Sequence, residues 1–403
     1  MSSSSPAATL NDACEFIVDC LHATAPTQED GFPLIRTPNI GKGRLDLNGV
    51  YRVSEETYET WTRRAIPEPD DLILAREAPA GNVAIIKNGE CVCLGQRTVH
   101  LRPDKTKVDP DFLCYFLLAP LQQGRLLAGE TGATAKHVNM RDIRKLPLDG
   151  LPSLSAQKTA GSMLAAYDDL IENNSRRMAL LEEAARQLYR EWFVRLRFPG
   201  HEHTRIIDGV PEGWERKTAH NVLEILSGGT PKTTVADYWE GDIPFYTPKD
   251  AVDGVWVTDA ERSITELGLA NCNSKLYPRE TVFISARGTV GKLNMAQRPM
   301  AMSQSCYALV GKDGVGQPFV FFAMQAAVEA LKQQAVGAVF DAIIVETFKR
   351  IHLLIPDSRL LRLFDESFRL VLQQVENLTI QNHRLRTARD LLLPRLMSGE
   401  ITV

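Results

Sequence analysis

Cysteine is scarce in this chain: there are seven among 403 residues, an odd number, and no Cys-x-x-Cys pair. Such a set builds neither a disulfide framework nor a zinc ribbon, and a reducing cytoplasm is the expected compartment. Long apolar runs are missing too, none approaching the ~18 residues of a membrane span. The opening MSSSSPAATLNDACEF has no basic flank leading into an apolar stretch, so neither secretion nor membrane insertion is expected. Positive charge is not in excess. A formal net charge of −4 excludes a protein that coats DNA through a uniformly basic surface, and leaves only local basic patches for phosphates. What remains is ordinary globular material, 44% hydrophobic and 24% charged, in a chain too long for one core, so two or three folded units are expected.

Catalytic signatures are absent as well. Gly288-Thr289-Val290-Gly291-Lys292 is too short for the phosphate loop G-x-x-x-x-G-K-[ST], and Leu293 stands where a magnesium-binding hydroxyl is needed. Ser303 and Ser305 have no G-x-S-x-G setting. Pro69-Asp70 lacks the following Glu-x-Lys of metal-dependent nucleases, and no Asn-Pro-Pro-Phe/Tyr adenine-flipping signature occurs. His201 and His203 flank Glu202 in a connector without a third ligand at usable spacing, which reads as a solvated linker. No catalytic residue and no metal ligand is assigned.

What is there is a repeat. Asp71 to Gly81 (DLILAREAPAG) is similar to Thr281 to Gly291 (TVFISARGTVG), and Cys93 to Arg97 (CLGQR) to Ala301 to Ser305 (AMSQS), with Gln96 aligned on Gln304. Ile171-Glu172-Asn173 recurs as Val375-Glu376-Asn377. The copies lie about 200 residues apart, the spacing shortening by a few residues along the chain, as small loop indels within one duplicated architecture produce. Each half opens with short β-branched stretches between Gly, Pro and Asp, which is strand-and-turn chemistry. Each closes in a long helix, the first starting near Ser155 after Pro152 and the second near Ser358 after Pro356, with Ser as the expected N-cap.

Heptad spacing runs along both helices. The first seam includes Tyr167, Ile171, Asn174, Met178, Leu181 and Leu188; the second includes Val371, Val375, Leu378, Asn382, Leu385 and Leu392. Alternating steps of three and four with apolar occupants predict a coiled coil. The same periodicity admits two separate amphipathic helices, each packed on its own domain; one polar Asn in each seam favours pairing, because a seam Asn fixes register. A centred antiparallel register sets Asn174 opposite Asn382, Met178 opposite Leu378, Ile171 opposite Leu385 and Leu181 opposite Val375. Tyr189, Trp192 and Phe193 end the first helix beside Arg186, Arg190 and Arg195. They read as a partner-docking patch or as packing against the second helix, Trp192 being on the seam.

Two Gly-rich loops offer compact polar and cationic groups: Thr37 to Arg44, with Asn39, Lys42 and Arg44, and Gly228 to Thr233, with Thr230 and Lys232. Such loops suit phosphate and base-edge contacts, and also serve as plain surface turns.

Together these segments resemble the DNA specificity subunit of type I restriction-modification systems. Leu385 to Ile401 (LRTARDLLLPRLMSGEI) looks like that family's distal helix, Leu170 to Phe193 like its central helix, and Leu226 to Asp250 (LSGGTPKTTVADYWEGDIPFYTPKD) like the start of its recognition domains. Glu55 to Arg64 fits a first recognition domain, though the first half has no Gly-Gly-Thr-Pro. The resemblance implies an α+β chain of two mixed α/β target-recognition domains, a pseudo-twofold internal repeat, joined by a long antiparallel two-helix coiled coil. The implied segments are 1–150, the first recognition domain; 151–197, the central helix; 198–356, connector and second recognition domain; and 357–403, the distal helix. Each domain is expected to read one half of a bipartite target in double-stranded DNA, with the helices setting the gap. Two modification subunits carrying S-adenosylmethionine are expected to dock, and two restriction subunits using ATP and magnesium to complete the nuclease; no cofactor is expected on this chain. Matching positions add Arg76, Gln96, Arg97, Lys136 and His137 in the first half, and Thr247, Lys249, Ser285, Arg287, Gln304 and Ser305 in the second, as DNA-contacting candidates. Two alternatives stay open: a non-catalytic coiled-coil scaffold, and a methyltransferase or nuclease with unrecognised catalytic motifs.

Overall fold

The computed structural model describes residues 9–128, 137–334 and 342–401. Two compact units emerge: the first comprises the chain up to Asn173 together with Asn382 onward, the second Asn174–Gln381. Four helices recur below: α1 (Pro110–Leu118), α2 (Leu154–Tyr189), α3 (Gln317–Gln334) and α4 (Ser358–Met397). The division falls inside α2 and α4 rather than at their starts, so each unit takes one stretch of each long helix into its own core.

The first unit is built on a five-stranded sheet of β1 (Cys14–Asp19), β2 (Gly43–Arg44), β3 (Leu72–Ala75), β4 (Val83–Ile85) and β5 (Thr98–Pro103), in the order β1-β5-β3-β4-β2. Only the β2–β4 pair is parallel. The central strands LILA and VAI are buried throughout, because both faces are covered and a two-sided strand needs no polar alternation. Strand periodicity sends Leu72 and Leu74 to a cluster with Phe112, Leu113 and Phe116 of α1, and Ile73 and Ala75 to one with Ile35, Ile40 and Ile86. Asp109 caps α1 by accepting from Phe112 N at 2.9 Å, with Pro110 at the first helical position. A second sheet joins Phe32–Ile35, Arg52–Val53 and Cys93–Leu94.

The second unit repeats this plan. Its sheet of β6 (Leu223–Ser227), β7 (Trp256–Val257), β8 (Val282–Ser285), β9 (Leu293–Ala296) and β10 (Cys306–Gly311) has the order β6-β10-β8-β9-β7, position for position that of the first. Its small sheet joins Trp239–Tyr246, Ser263–Ile264 and Ala301–Met302. Val282 and Ile284 pack with Phe319 and Val320 of α3, Phe283 with Tyr246 and Met300. The β3–β4 and β8–β9 turns close on the aligned glycines Gly81 and Gly291, both at positive φ; a Cβ on Gly291 would sit 2.6 Å from Val328 Cγ1.

The helices start where expected, but other residues cap them. Ser153 Oγ, not Ser155, accepts from Ala156 N at 3.3 Å, and Asp357 Oδ1, not Ser358, accepts from Arg359 N and Leu360 N at 2.8 and 2.9 Å. A short polar side chain caps by reaching forward two or three residues, so the cap lies just outside the first turn. Within each unit α2 and α4 run antiparallel. In the first, Asn382 Nδ2 donates to Ile171 O at 3.1 Å and Arg389 pairs with Asp168; in the second, Thr379 Oγ1 lies 3.3 Å from Met178 Sδ and the Trp192 ring packs tilted, 5.8 Å from that of Phe364. Ile171, Asn174, Val375, Leu378 and Asn382 are buried, and Tyr167, Met178, Leu181, Leu188, Val371, Leu385 and Leu392 half-buried. Asn174 belongs to the second unit and Asn382 to the first.

Candidate nucleic-acid interface

Antiparallel pairing brings strand ends together, and with them the loops that follow. In the second unit Ser227 of β6 pairs with Tyr307 and Ser285 of β8 with Cys306, both at the start of β10, while Tyr246 pairs with Met302. Loops 228–233, 247–250, 286–292 and 303–305 therefore share one end of the sheet. Backbone bonds tie them: Ser303 N to Tyr246 O at 2.9 Å, Ala286 N to Ser305 O at 2.8 Å, and Ile343 N to Ala286 O at 2.9 Å. The first unit makes the same three bonds, Gly95 N to Ile35 O at 2.8 Å, Arg76 N to Arg97 O at 2.9 Å, and Val138 N to Arg76 O at 3.0 Å. The two loop ends thus share these three backbone bonds, while most of the side chains they carry differ.

In the second unit Lys232, Lys249, Arg287 and Gln304 are exposed on these loops, with Thr230, Thr247 and Ser305 half-buried beside them. Thr247 caps its own turn, its hydroxyl donating to Asp250 Oδ2 at 2.6 Å, and Thr289 Oγ1 ties the next loop to Pro248 O at 2.9 Å. Gly228 and Gly229 serve packing: a Cβ would come 2.2 Å from Ser303 O at the first and 2.5 Å from Asn273 N at the second. Ser285 is a correction to the expected DNA contacts. It is fully buried, bonded to Thr289 O and Lys292 O and accepting from Lys292 N at 3.0 Å, so it shapes the loop from inside.

In the first unit a polar chain crosses the loop end. Arg76 is buried, its Nε donating to Val138 O at 3.0 Å and its NH2 lying 2.7 Å from His137 Nε2. His137 Nδ1 lies 2.9 Å from Glu77 Oε1, and Arg97 Nε 3.0 Å from Glu77 Oε2. Gln96 is half-buried with Nε2 3.4 Å from Thr24 Oγ1, and Lys42 is exposed. Asn39 accepts from Arg36 N at 3.0 Å, a local turn bond. Lys136 lies outside the described residues. Two further candidates are corrected. Thr37 is buried, and Arg44 points inward, donating to Ala165 O at 3.2 Å and Asp169 Oδ1 at 2.7 Å on α2. A half-buried guanidinium is held where a carboxylate pays back its lost hydration, and for Arg44 that carboxylate is on the helix.

The aromatic patch at the end of α2 is also corrected. Tyr189, Trp192 and Phe193 are 7%, 9% and 4% exposed, enclosed by Phe319 and Phe322 of α3 and Phe364 of α4, with the Phe193 and Phe364 rings 4.8 Å apart. Packing on a third element takes them out of reach of a docking partner. One residue of the loop end was not singled out from the sequence: Arg36 is exposed, its guanidinium 4.4 Å over the Tyr51 ring. Glu77, within the segment 75–77 matched to a recognition loop, takes an organising place between His137 and Arg97. Arg36 follows its strand as Thr247 follows the matching one, so alignment of the repeats carries that signal. Near both loop ends burial pushes a thiol, Cys20 or Cys306, up to about 12, which marks packing residues rather than nucleophiles. No described helix is long and apolar enough to cross a membrane.

Comparison with known proteins agrees with this architecture. The HindI type I restriction enzyme specificity subunit of Haemophilus influenzae is 22% identical over 366 residues, covering 75% of this chain and 79% of the relative. The putative MjaX specificity subunit of Methanocaldococcus jannaschii is 22% identical over 98% of this chain and 93% of its own. The crystal structure of the type I restriction-modification S subunit from M. genitalium shares the fold, with a TM-score of 0.56 and 14% identity over 98% of each chain. The family model described as the type I restriction modification DNA specificity domain matches residues 16–183 and again 211–382, and with most of its length accounted for by two copies, the chain belongs to that family.

Proposed function

We propose that this chain is the DNA-recognition subunit of a type I restriction-modification complex, each unit reading one half of a bipartite target through its loop end. Catalysis resides in partner chains: modification subunits bind S-adenosylmethionine and methylate adenine, and restriction subunits use ATP and magnesium. The long helices set the gap between half-sites and dock the modification subunits. What supports this reading above all is the duplication of one backbone frame with different side chains on its loops. Equivalent bonds hold Arg76 and Arg97 in one unit and Ala286 and Ser305 in the other. A reader of two different half-sites needs that combination, a constant frame with variable base contacts.

The test is DNA binding by the chain assembled with its cognate modification subunits. Binding is expected to weaken steeply with salt, by about 0.9 decade per decade of salt for each phosphate neutralised, and to prefer one two-part sequence over random DNA. The chain alone is expected not to retain radiolabelled S-adenosylmethionine, whereas the complex retains it. Salt-insensitive or absent DNA binding by the complex favours a scaffold instead, and retention of the cofactor by the isolated chain a methyltransferase.

A further inference from the structure

The polar chain across the first unit's loop end assigns different tasks to its two arginines. Arg76 is buried, with Nε on Val138 O and NH2 on His137 Nε2. A guanidinium only donates, so Nε2 is the accepting nitrogen of His137 and the proton sits on Nδ1, which donates to Glu77 Oε1. That leaves Glu77 Oε2 for Arg97 Nε at 3.0 Å. With a neutral His137, one carboxylate and two guanidiniums, the locus keeps one net positive charge. Arg97 alone carries it outward: its side chain is 57% exposed, and its terminal nitrogens have no partner among the described residues.

The backbone gives a second, independent observation. Arg97 has φ 68, in the left-handed region that a non-glycine residue occupies only at a cost. Its counterpart Ser305 has no positive φ, so the shared frame does not demand this conformation. A strained backbone that turns a cation to solvent, with its Nε paired to a carboxylate, fits a role in binding better than one in packing.

Resting on the reading of two half-site readers, we infer that Arg97 is a base-reading side chain of the first unit, taking the O6 and N7 edge of a guanine in the major groove, and that Glu77 is its positioning residue. The ion pair at Nε leaves the two terminal nitrogens as a planar fork, the geometry that guanine matches bidentately. Arg76 and His137 hold the carboxylate in place and read nothing.

The experiment selects binding sequences from randomised DNA with the assembled complex of this chain and its modification subunits, and measures thermal unfolding of each variant. Arg97→Gly relieves the backbone, so its unfolding temperature is expected at or above that of the unaltered chain, while about 5- to 150-fold of discrimination is lost at one guanine in one half-site. Arg97→Lys is expected to lose the same preference because an ammonium has no fork, and Glu77→Gln to weaken it at that position alone. The other half-site stays unchanged throughout. An unaltered motif and affinity in Arg97→Gly overturns the inference, as does a uniform loss across all sequences, which marks a phosphate contact. If the unaltered complex selects no two-part motif at all, the proposed function fails and this inference with it; a two-part motif indifferent to Arg97 overturns this inference alone.

Discussion

Replacing Arg389 by alanine strips the cation from a buried carboxylate and is expected to melt the first unit early. Asp168 on α2 is 4% exposed, accepts from Tyr115 Oη at 2.6 Å and from Arg389 on α4, itself 12% exposed. Removing one partner of such a pair costs about 3–5 kcal/mol, because the remaining charge stays buried. Arg44, bonded to the neighbouring Asp169 at 2.7 Å, supplies some positive potential, which brings the expectation down to about 2–4 kcal/mol. For a unit of about 200 residues each kcal/mol moves the midpoint by roughly 2–4 °C, so the first unit's transition is expected to fall by about 5–15 °C. Scanning calorimetry on the whole chain reads this, provided the two units' transitions are followed separately. The triple replacement Tyr115→Phe, Asp168→Leu and Arg389→Met removes every buried polar partner together and is expected to recover most of the loss. A drop below about 2 °C for Arg389→Ala, or a triple variant less stable than the single one, refutes the reasoning that this buried pair locks the helices of the first unit.

Two further outcomes follow from the second unit. Asp365 has one oxygen buried without a partner among the described residues, and burial raises its carboxyl to about 6. The folded state then binds the proton more tightly than the unfolded chain, so the stability this group contributes is present below the ordinary carboxylate value of 3.8 and is lost as pH rises through about 6. Asp365→Asn is expected to raise the second unit's stability by about 1–2 kcal/mol at pH 7–8, a figure discounted for partial exposure, and to leave it unchanged near pH 4, which denaturant unfolding at the two pH values checks. Gly229→Ala puts a Cβ 2.5 Å from Asn273 N and 2.8 Å from its Cα, backbone that cannot step aside. The 228–233 loop is expected to shift at a cost of about 1–3 kcal/mol, with weakened selection confined to the half-site read by the second unit in the same randomised-DNA assay.

The fold was legible because duplication and periodicity are both local signals. The matched segments 71–81 and 281–291 became β3 and β8 with the turns that follow them, each closing on an aligned glycine, and the heptads became α2 and α4. The loop end was legible only in part. Gln96, Arg97, Lys249, Arg287 and Gln304 stand at strand ends, and pairing brings strand ends together whatever the side chains are. Which way a loop side chain turns is decided by distant partners: Arg44 turns inward to Asp169, and Ser285 is claimed by the turn it closes. The task of Glu77 depends on His137 arriving from a segment far along the chain. The aromatic cluster at Tyr189 misled for a related reason, since heptads describe what faces the partner helix and are silent about α3 arriving from another side.

The central claim is that two independent readers sit in one chain, and methylome sequencing of a host carrying this chain with its cognate modification subunits tests it most directly. The natural chain is expected to give one adenine-methylated motif of two short half-sites around an unspecific gap. Exchanging the segment from Leu10 to Pro147 for the matching segment of another family member is expected to change one half-site and leave the other and its spacing intact. Methylation of a single uninterrupted motif, or both half-sites changing together in the exchange, contradicts the account.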